Sequence, residues 1–268
     1  IMKMNQSFYL KNILQKFGME NCKPRSTPCE MNLSSYEADS SDDISDEKKY
    51  REMVGSLVYA MMCTRPDLCY VVTKLSQHLS KPTSGDWIIL KHVFQYIKGT
   101  MDYSLTFHKS ELNLFAFCDA DWASSLDGRR SISGYCFMSS KNGPVISWKS
   151  KKQNSVALST CEAEYMSLSA TCQEAAYLCQ LLKDILKQTF EPVVIKNDNQ
   201  GAIALCKNPV KHMKTKHIDI RYHFVRDYYQ SKRIILQYVP SNENLADVFT
   251  KPVRRPTLQK FKSYLFYI

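Results

Sequence analysis

Leu112, Leu114, Ala116 and Cys118 alternate with Asn113, Phe115 and Phe117, and this period of two predicts a β-strand whose faces meet different surroundings. The strand runs straight into Asp119-Ala120-Asp121-Trp122, so a carboxylate stands at its end. Gly134 to Met138 and Val145 to Trp148 predict two further strands, with Lys141-Asn142-Gly143-Pro144 as the hairpin turn between them, in which Gly143 can take positive φ. A helix follows from Ser159 to about Leu186, its apolar stripe made by Leu168, Ala175, Leu178, Leu181, Leu182 and Ile185. Ser159 and Glu162 fit a capping box, which gives Glu162 a structural task and leaves Glu164 as the carboxylate free to face the sheet. The β-branched Val193-Val194-Ile195 predicts a strand that stops at Asp198, and Ile234 to Val239 predicts another, followed by a turn and Asp247. The order is three strands, helix, strand, helix, strand, helix: an antiparallel meander with a helix on one face and acidic residues near element ends.

Before this region the pattern changes. Phe8 to Phe17 has helical spacing and stops at Gly18, after which Pro24 and Pro28 turn the chain extended. Residues 34–47 hold serines with six acidic residues, too polar to pack, and read as a solvated linker. An acidic calcium loop is the sharper reading, but no glycine stands where its tight turn needs one. Tyr50 to Met62, Leu68 to His78 and Ser84 to Ile97 complete a small helical unit, with Pro66 suited to a first helical turn.

Composition adds three constraints. With 268 residues and 44% hydrophobic content the chain can bury a sizeable core, and no run reaches the ~20 apolar residues that span a bilayer. The N-terminus lacks the apolar core of a secretory signal and opens on Ile1, as a piece of something longer would. The 10 cysteines form no Cys-x-x-Cys pair, and Cys63, Cys136, Cys179 and Cys206 sit inside apolar runs, which suits buried thiols in a reducing compartment. A formal charge of +10 favours polyanionic partners, nucleic acid first. That charge is clustered: Lys207, Lys211, Lys214, Lys216 and Arg221 fall close together among His212, His217, Tyr222 and His223. They read either as a solvated helix face or as a phosphate track, with lysine and arginine on the backbone and rings against sugars and bases. His217 and His223 have no thiol or carboxylate at zinc-like spacing.

The segments Cys118-Asp119-Ala120-Asp121-Trp122-Ala123, Arg130 to Tyr135, Ile146 to Gln153, Ser159 to Tyr165, Asn197 to Gln200, Thr215 to Phe224 and Asn244 to Asp247, in that order over residues 112–251, resemble the ribonuclease H domain of copia-type retrotransposon polyproteins. Val54 to Tyr59, Thr64-Arg65-Pro66-Asp67 and Tyr96 to Thr100 resemble the segment that joins such a domain to the reverse transcriptase, whose own Asp-Asp motif is absent here. The resemblance implies an α/β, ribonuclease H-like fold with a mixed sheet. It divides the chain into a helical connection segment at 1–105 with its acidic linker, a ribonuclease H-like domain at 110–252 and a helical tail at 253–268. It implies hydrolysis of the RNA strand of an RNA–DNA hybrid as part of a Pol polyprotein, in a cytoplasmic virus-like particle or the nucleus and not in secretion or at a membrane.

By the same resemblance Asp119, Glu164, Asp198 and Asp247 match the family's catalytic and metal-binding set, for two Mg²⁺ or Mn²⁺ ions, and Lys211, Lys214, Lys216 and Arg221 are candidate nucleic-acid contacts. The chemistry agrees with that set. Phosphodiester hydrolysis needs an activated water and an answer to charge on the phosphate, and a pair of hard cations on carboxylate oxygens supplies both. Asp121 shares the strand face of Asp119, so period does not separate them and motif position selects Asp119. Cellular ribonucleases H carry a histidine before the last aspartate, where this chain has Pro240-Ser241-Asn242-Glu243-Asn244, so slower product release or metal handling is expected. The competing reading is a catalytically silent, nucleic-acid-binding remnant of the same fold. A transposase or integrase is a third, disfavoured because those proteins usually use three acidic residues and a different tail.

Overall fold

The computed structural model describes residues 1–33, 46–109, 111–124, 128–140, 143–207 and 216–266, with the side chains of 216–219 left out. The chain divides into two compact units, Ile1–Lys109 with Lys251–Ile268, and Ser110–Thr250. The C-terminal stretch is thus grouped with the N-terminal unit rather than standing apart as a tail.

The first unit is built from helices α1 (Ser7–Lys16), α2 (Glu47–Cys63), α3 (Cys69–Ser76), α4 (Ser84–Lys98) and, from the C-terminus, Arg255–Phe266. Helix α1 ends as its glycine predicts. Gly18 sits at φ +70°, its N–H donating to the Gln15 carbonyl and that of Met19 to Leu14, so two orphan carbonyls are satisfied. Helix α4 opens on a full capping box between Thr83 and Asp86. Between helices, Arg65 is fully buried, and two hydrogen bonds to Asp67 and two to Thr100 hold its guanidinium. A buried charge is tolerated only when paired in this way. A short β1 (Met2–Met4) pairs antiparallel with β2 (Leu105–Phe107), which no local pattern announced. Most of the acidic linker lies outside the described residues; Asp46 at its end caps α2 by accepting from the Lys49 N–H. Cys63 is half-buried rather than buried.

The second unit is organised on a five-stranded mixed sheet. Its strands are β3 (Phe115–Asp121), β4 (Ile132–Met138), β5 (Val145–Lys152), β6 (Val193–Asn197) and β7 (Ile234–Tyr238), in the order β5-β4-β3-β6-β7. The first three form the expected antiparallel meander, and β6 and β7 add in parallel to β3. Helix α5 (Thr160–Leu186) crosses from β5 to β6, and α6 (Gln200–Lys207) and α7 (Lys216–Gln230) link β6 to β7. This is the ribonuclease H-like α/β arrangement. Leu114, Ala116, Cys118, Tyr135 and Phe137 pack with Tyr165, Leu168, Cys172, Ala175 and Leu178 of α5, so the even-numbered side of β3 faces the helix.

One local expectation is corrected, and two details are added. The Gly143 N–H closes a turn on the Ser140 carbonyl, and a Cβ there would lie 2.5 Å from Ser139 Oγ and 2.8 Å from Ser140 Oγ, so a larger residue would require those hydroxyls to turn away. The buried stripe of α5 ends near Cys179, because Leu181 and Ile185 are 39% and 64% exposed. Asp247 itself lies in a 3₁₀ turn, Leu245–Phe249, that precedes the terminal helix in the chain. No described helix is long and apolar enough to cross a membrane.

Candidate active site

The parallel strands β3, β6 and β7 run in one direction, and the acidic residues gather beyond their carboxyl ends, where open α/β sheets leave a crevice. Asp119 is in the last turn of pleat of β3, Asp198 follows β6, and Asp247 lies in the 3₁₀ turn that succeeds β7. Each offers an oxygen, and these oxygens all lie within 4.8 Å of one another. Asp121 is outside this group, so geometry separates two aspartates that strand period leaves equivalent.

Glu164 approaches from the first turns of α5 and is buried. Its carboxyl is pushed up to about 9, first by burial and next by the charge of Asp119, with Asp198 adding to the effect. Two donors oppose that rise: Asn197 Nδ2 at 2.9 Å and the Ala120 amide. A carboxylate placed among carboxylates and held there by hydrogen bonds is poorly matched to its own charge and well matched to a cation. Hard oxygen donors from separate elements suit Mg²⁺ or Mn²⁺ over softer metals, so the donor set fits the cations expected.

Uncharged residues hold this arrangement, and the sequence reading assigned them no role. Pairing between β3 and β6 stops at Phe117 and Lys196. Just beyond, the Cys118 carbonyl accepts from Asn197 Nδ2 at 3.3 Å and from Asn244 Nδ2 at 3.0 Å. Each asparagine then turns its oxygen back on the chain, Asn197 to the Asn199 N–H and Asn244 to the Ala246 N–H. One carbonyl of β3 thereby ties down the segments bearing Asp198 and Asp247. The buried Thr250 hydroxyl donates to Asp119 Oδ2. The 3₁₀ turn can come this close because Asp119 pairs across the sheet with Gly134, where a Cβ would stand 2.7 Å from both Phe249 Cβ and Thr250 Cγ2. The available signal was position: an asparagine immediately before one aspartate and three residues before the other.

Glu162 is placed apart, as its capping task requires. Ser159 Oγ accepts from the Glu162 N–H at 3.2 Å, and Glu162 Oε2 accepts from the Leu158 N–H at 2.8 Å, one residue earlier than the cap amide expected. Of the basic candidates, Lys211 and Lys214 lie outside the described residues, and Lys216 begins α7. Arg221, half-buried on α7, lines a cavity of about 280 Å³ with Lys149, Lys151, Gln173 and Glu174.

No family model matches the chain. It is 39% identical over 259 residues to the retrovirus-related Pol polyprotein from transposon RE2 of Arabidopsis thaliana, covering 96% of this chain and 18% of that protein. The corresponding protein from transposon TNT 1-94 of Nicotiana tabacum is 38% identical over 94% of this chain and 19% of its own length. An uncharacterized mitochondrial protein of Arabidopsis thaliana is 40% identical, over 65% of this chain and 71% of that one. The chain therefore spans about a fifth of the length of the Pol relatives it matches. Among solved structures, the foamy viral protease-reverse transcriptase dRH in complex with double-stranded DNA matches at TM-score 0.49 with 14% identity, over 77% of this chain and 34% of that one. Ribonuclease H1 from Halobacterium salinarum matches at TM-score 0.39 with 15% identity, over 55% and 98%.

Proposed function

Because this chain belongs to the family of Pol polyproteins of copia-type retrotransposons, we propose that its second unit is the ribonuclease H of such a polyprotein, a divalent-metal-dependent endonuclease that hydrolyses the RNA strand of an RNA–DNA hybrid. The observation that carries the reading is the meeting of Asp119, Asp198 and Asp247 within 4.8 Å from three separate elements. The Glu164 carboxyl, pushed up by burial and by the charge of Asp119, supports it.

In this reading Asp119, Glu164, Asp198 and Asp247 hold two Mg²⁺ or Mn²⁺ ions. When bound, such ions lower the pKa of a water nucleophile and offset charge on the phosphate and leaving oxygen. The chain's own residues do the rest. Thr250 keeps one Asp119 oxygen oriented, Asn197 keeps Glu164 Oε2 oriented, and Asn244 fixes the start of the turn that presents Asp247. Hydrolysis leaves a 3′-hydroxyl and a 5′-phosphate, and the 2′-hydroxyl marks the strand to be cut. The test is the purified chain with labelled RNA–DNA hybrid and Mg²⁺. Cleavage of the RNA strand that stops on chelation, with double-stranded DNA spared, is the expected result; activity surviving EDTA, or equal cleavage of both duplexes, defeats the reading.

Lys211, Lys214, Lys216 and Arg221 are the proposed phosphate-binding residues. Replacing the three lysines with alanine is expected to weaken hybrid binding and to reduce the slope of log K against log salt by about 0.9 for each phosphate that is no longer neutralised, on a B-DNA-like duplex. Titrations at several salt concentrations read that slope directly. An unchanged slope assigns these lysines to a solvated helix face.

A further inference from the structure

We propose that Trp122, Val156 and Leu158 form an apolar seat for the sugar C–H faces of the nucleic-acid strand beside the acidic cluster; this rests on the nuclease reading above. Trp122 follows Asp119 by three residues and is 45% exposed, yet its indole Nε1–H donates to the Ala157 carbonyl at 3.0 Å. Ala157 itself is buried in a small core with Ala120 of β3 and Ala163 and Met166 of α5. With Ala157 drawn inward, its two neighbours face out: Val156 is 48% exposed and Leu158 81%. The Leu158 amide is held by Glu162, and Ser159 caps the helix.

The seat is therefore tied at one end to the strand that carries Asp119 and at the other to the helix that carries Glu164. Large apolar side chains held facing water in a group mark a surface built for contact.

Charge identifies the occupant. Ala120, Ser133 and Lys151 occupy one row across β3, β4 and β5, and Asp121, Ile132 and Lys152 the next. Lysines of the edge strand thus reach the same end of the sheet as the seat, and the carboxylates flank it on β3. A polymer that alternates anionic phosphates with the C–H faces of its sugars matches cations, an apolar face and a metal-ready cluster side by side. An aromatic or branched side chain meets such faces without sequence readout, so the contact is sequence-tolerant.

The test uses the full chain, a fluorescein-labelled RNA–DNA hybrid with Ca²⁺ replacing Mg²⁺ for binding, and Mg²⁺ for cleavage. Leu158→Ser changes an exposed side chain, so melting is expected to stay unchanged while Kd and KM rise about five- to tenfold, with kcat altered less. Trp122→Ala is expected to raise both tenfold or more, and Trp122→Phe, which keeps a ring, by less than about threefold. Hybrid should also quench tryptophan fluorescence in the wild type and fail to do so in Trp122→Phe, although Trp87 and Trp148 remain. A wild type that binds and cuts while Leu158→Ser and Trp122→Ala match it overturns this inference alone. A wild type that neither binds nor cuts overturns the nuclease reading and the inference with it. A change in oligomeric state in Leu158→Ser with hybrid binding unaltered gives the seat to a protein partner and likewise overturns the proposal.

Discussion

Glu164→Gln is expected to lower hybrid cleavage by well over 100-fold and, without divalent metal, to raise the melting temperature. Even the outer partners of metal ligands are worth about 10- to 100-fold, so removing a charged ligand should exceed that range. The stability gain has a separate cause. The folded state holds the Glu164 carboxyl at about 9 against an ordinary 4.5, so the metal-free protein keeps a proton there that the unfolded chain releases. This contribution to stability is fully present below about pH 4.5 and is lost as pH rises toward about 9. Glutamine, which cannot ionise, removes that loss, so the variant's advantage grows from acid to alkaline pH. Metal reverses the comparison, because a bound cation favours the anion and only the wild type presents one.

Glu162→Ala should behave in the opposite way. Loss of its hydrogen bond to the Leu158 amide costs about 0.5–2 kcal/mol, as for other capping changes, and leaves cleavage largely intact at permissive temperature. Melting curves from pH 5 to 9 with and without Mg²⁺, beside a cleavage assay on both variants, separate the two glutamates. If Glu162→Ala abolishes cleavage while Glu164→Gln only lowers the melting temperature, the roles are exchanged and the site assignment fails.

The contrast shows why part of this molecule was legible in its sequence. The meander and α5 were readable because a strand that is buried on one side and a helix that opens on Ser159 each write a local period or cap. The ends were less so. Strand β5 continues through Lys149, Ser150, Lys151 and Lys152, and β4 begins at Ile132. Polar residues are tolerated there because β5 is an edge strand, where lysine also discourages pairing with another chain. The pairing of β1 with β2 joins residues a hundred positions apart and has no local signature. At the site, four carboxylates stood out by charge and by motif. Asparagines and a threonine did not, since their work depends on a carbonyl of β3 that loses its strand partner only when β3 and β6 diverge. Asp119 differs from Asp121 in the same non-local way, since it meets Asp198 and Asp247 and accepts from the Thr250 hydroxyl.

Gly134→Ala is accordingly expected to damage the site without touching any carboxylate. A methyl group at residue 134 would lie 2.7 Å from Phe249 Cβ and Thr250 Cγ2 and 3.0 Å from the Phe249 carbonyl carbon. Two of these three atoms belong to the backbone or its first side-chain carbon, so no rotamer change relieves the overlap, and the 3₁₀ turn must move off the sheet. That turn carries Asp247, and Thr250 donates to Asp119 just after it. A displacement of about 1 Å between groups that must act together costs on the order of 100-fold in rate. Overpacking also costs about 1–3 kcal/mol, which outweighs the 0.5–1 kcal/mol that alanine gains over glycine in a strand. Gly55 is the control. It sits within α2 with nothing within 4 Å of its would-be Cβ, so Gly55→Ala should leave cleavage intact and stabilise the first unit by up to about 1 kcal/mol. Calorimetric titration with Mn²⁺ on both variants gives the deciding number. Weakened Mn²⁺ binding in Gly134→Ala and unchanged binding in Gly55→Ala is the expected pair, whereas wild-type Mn²⁺ affinity in Gly134→Ala means that the turn does not deliver Asp247 to the cluster.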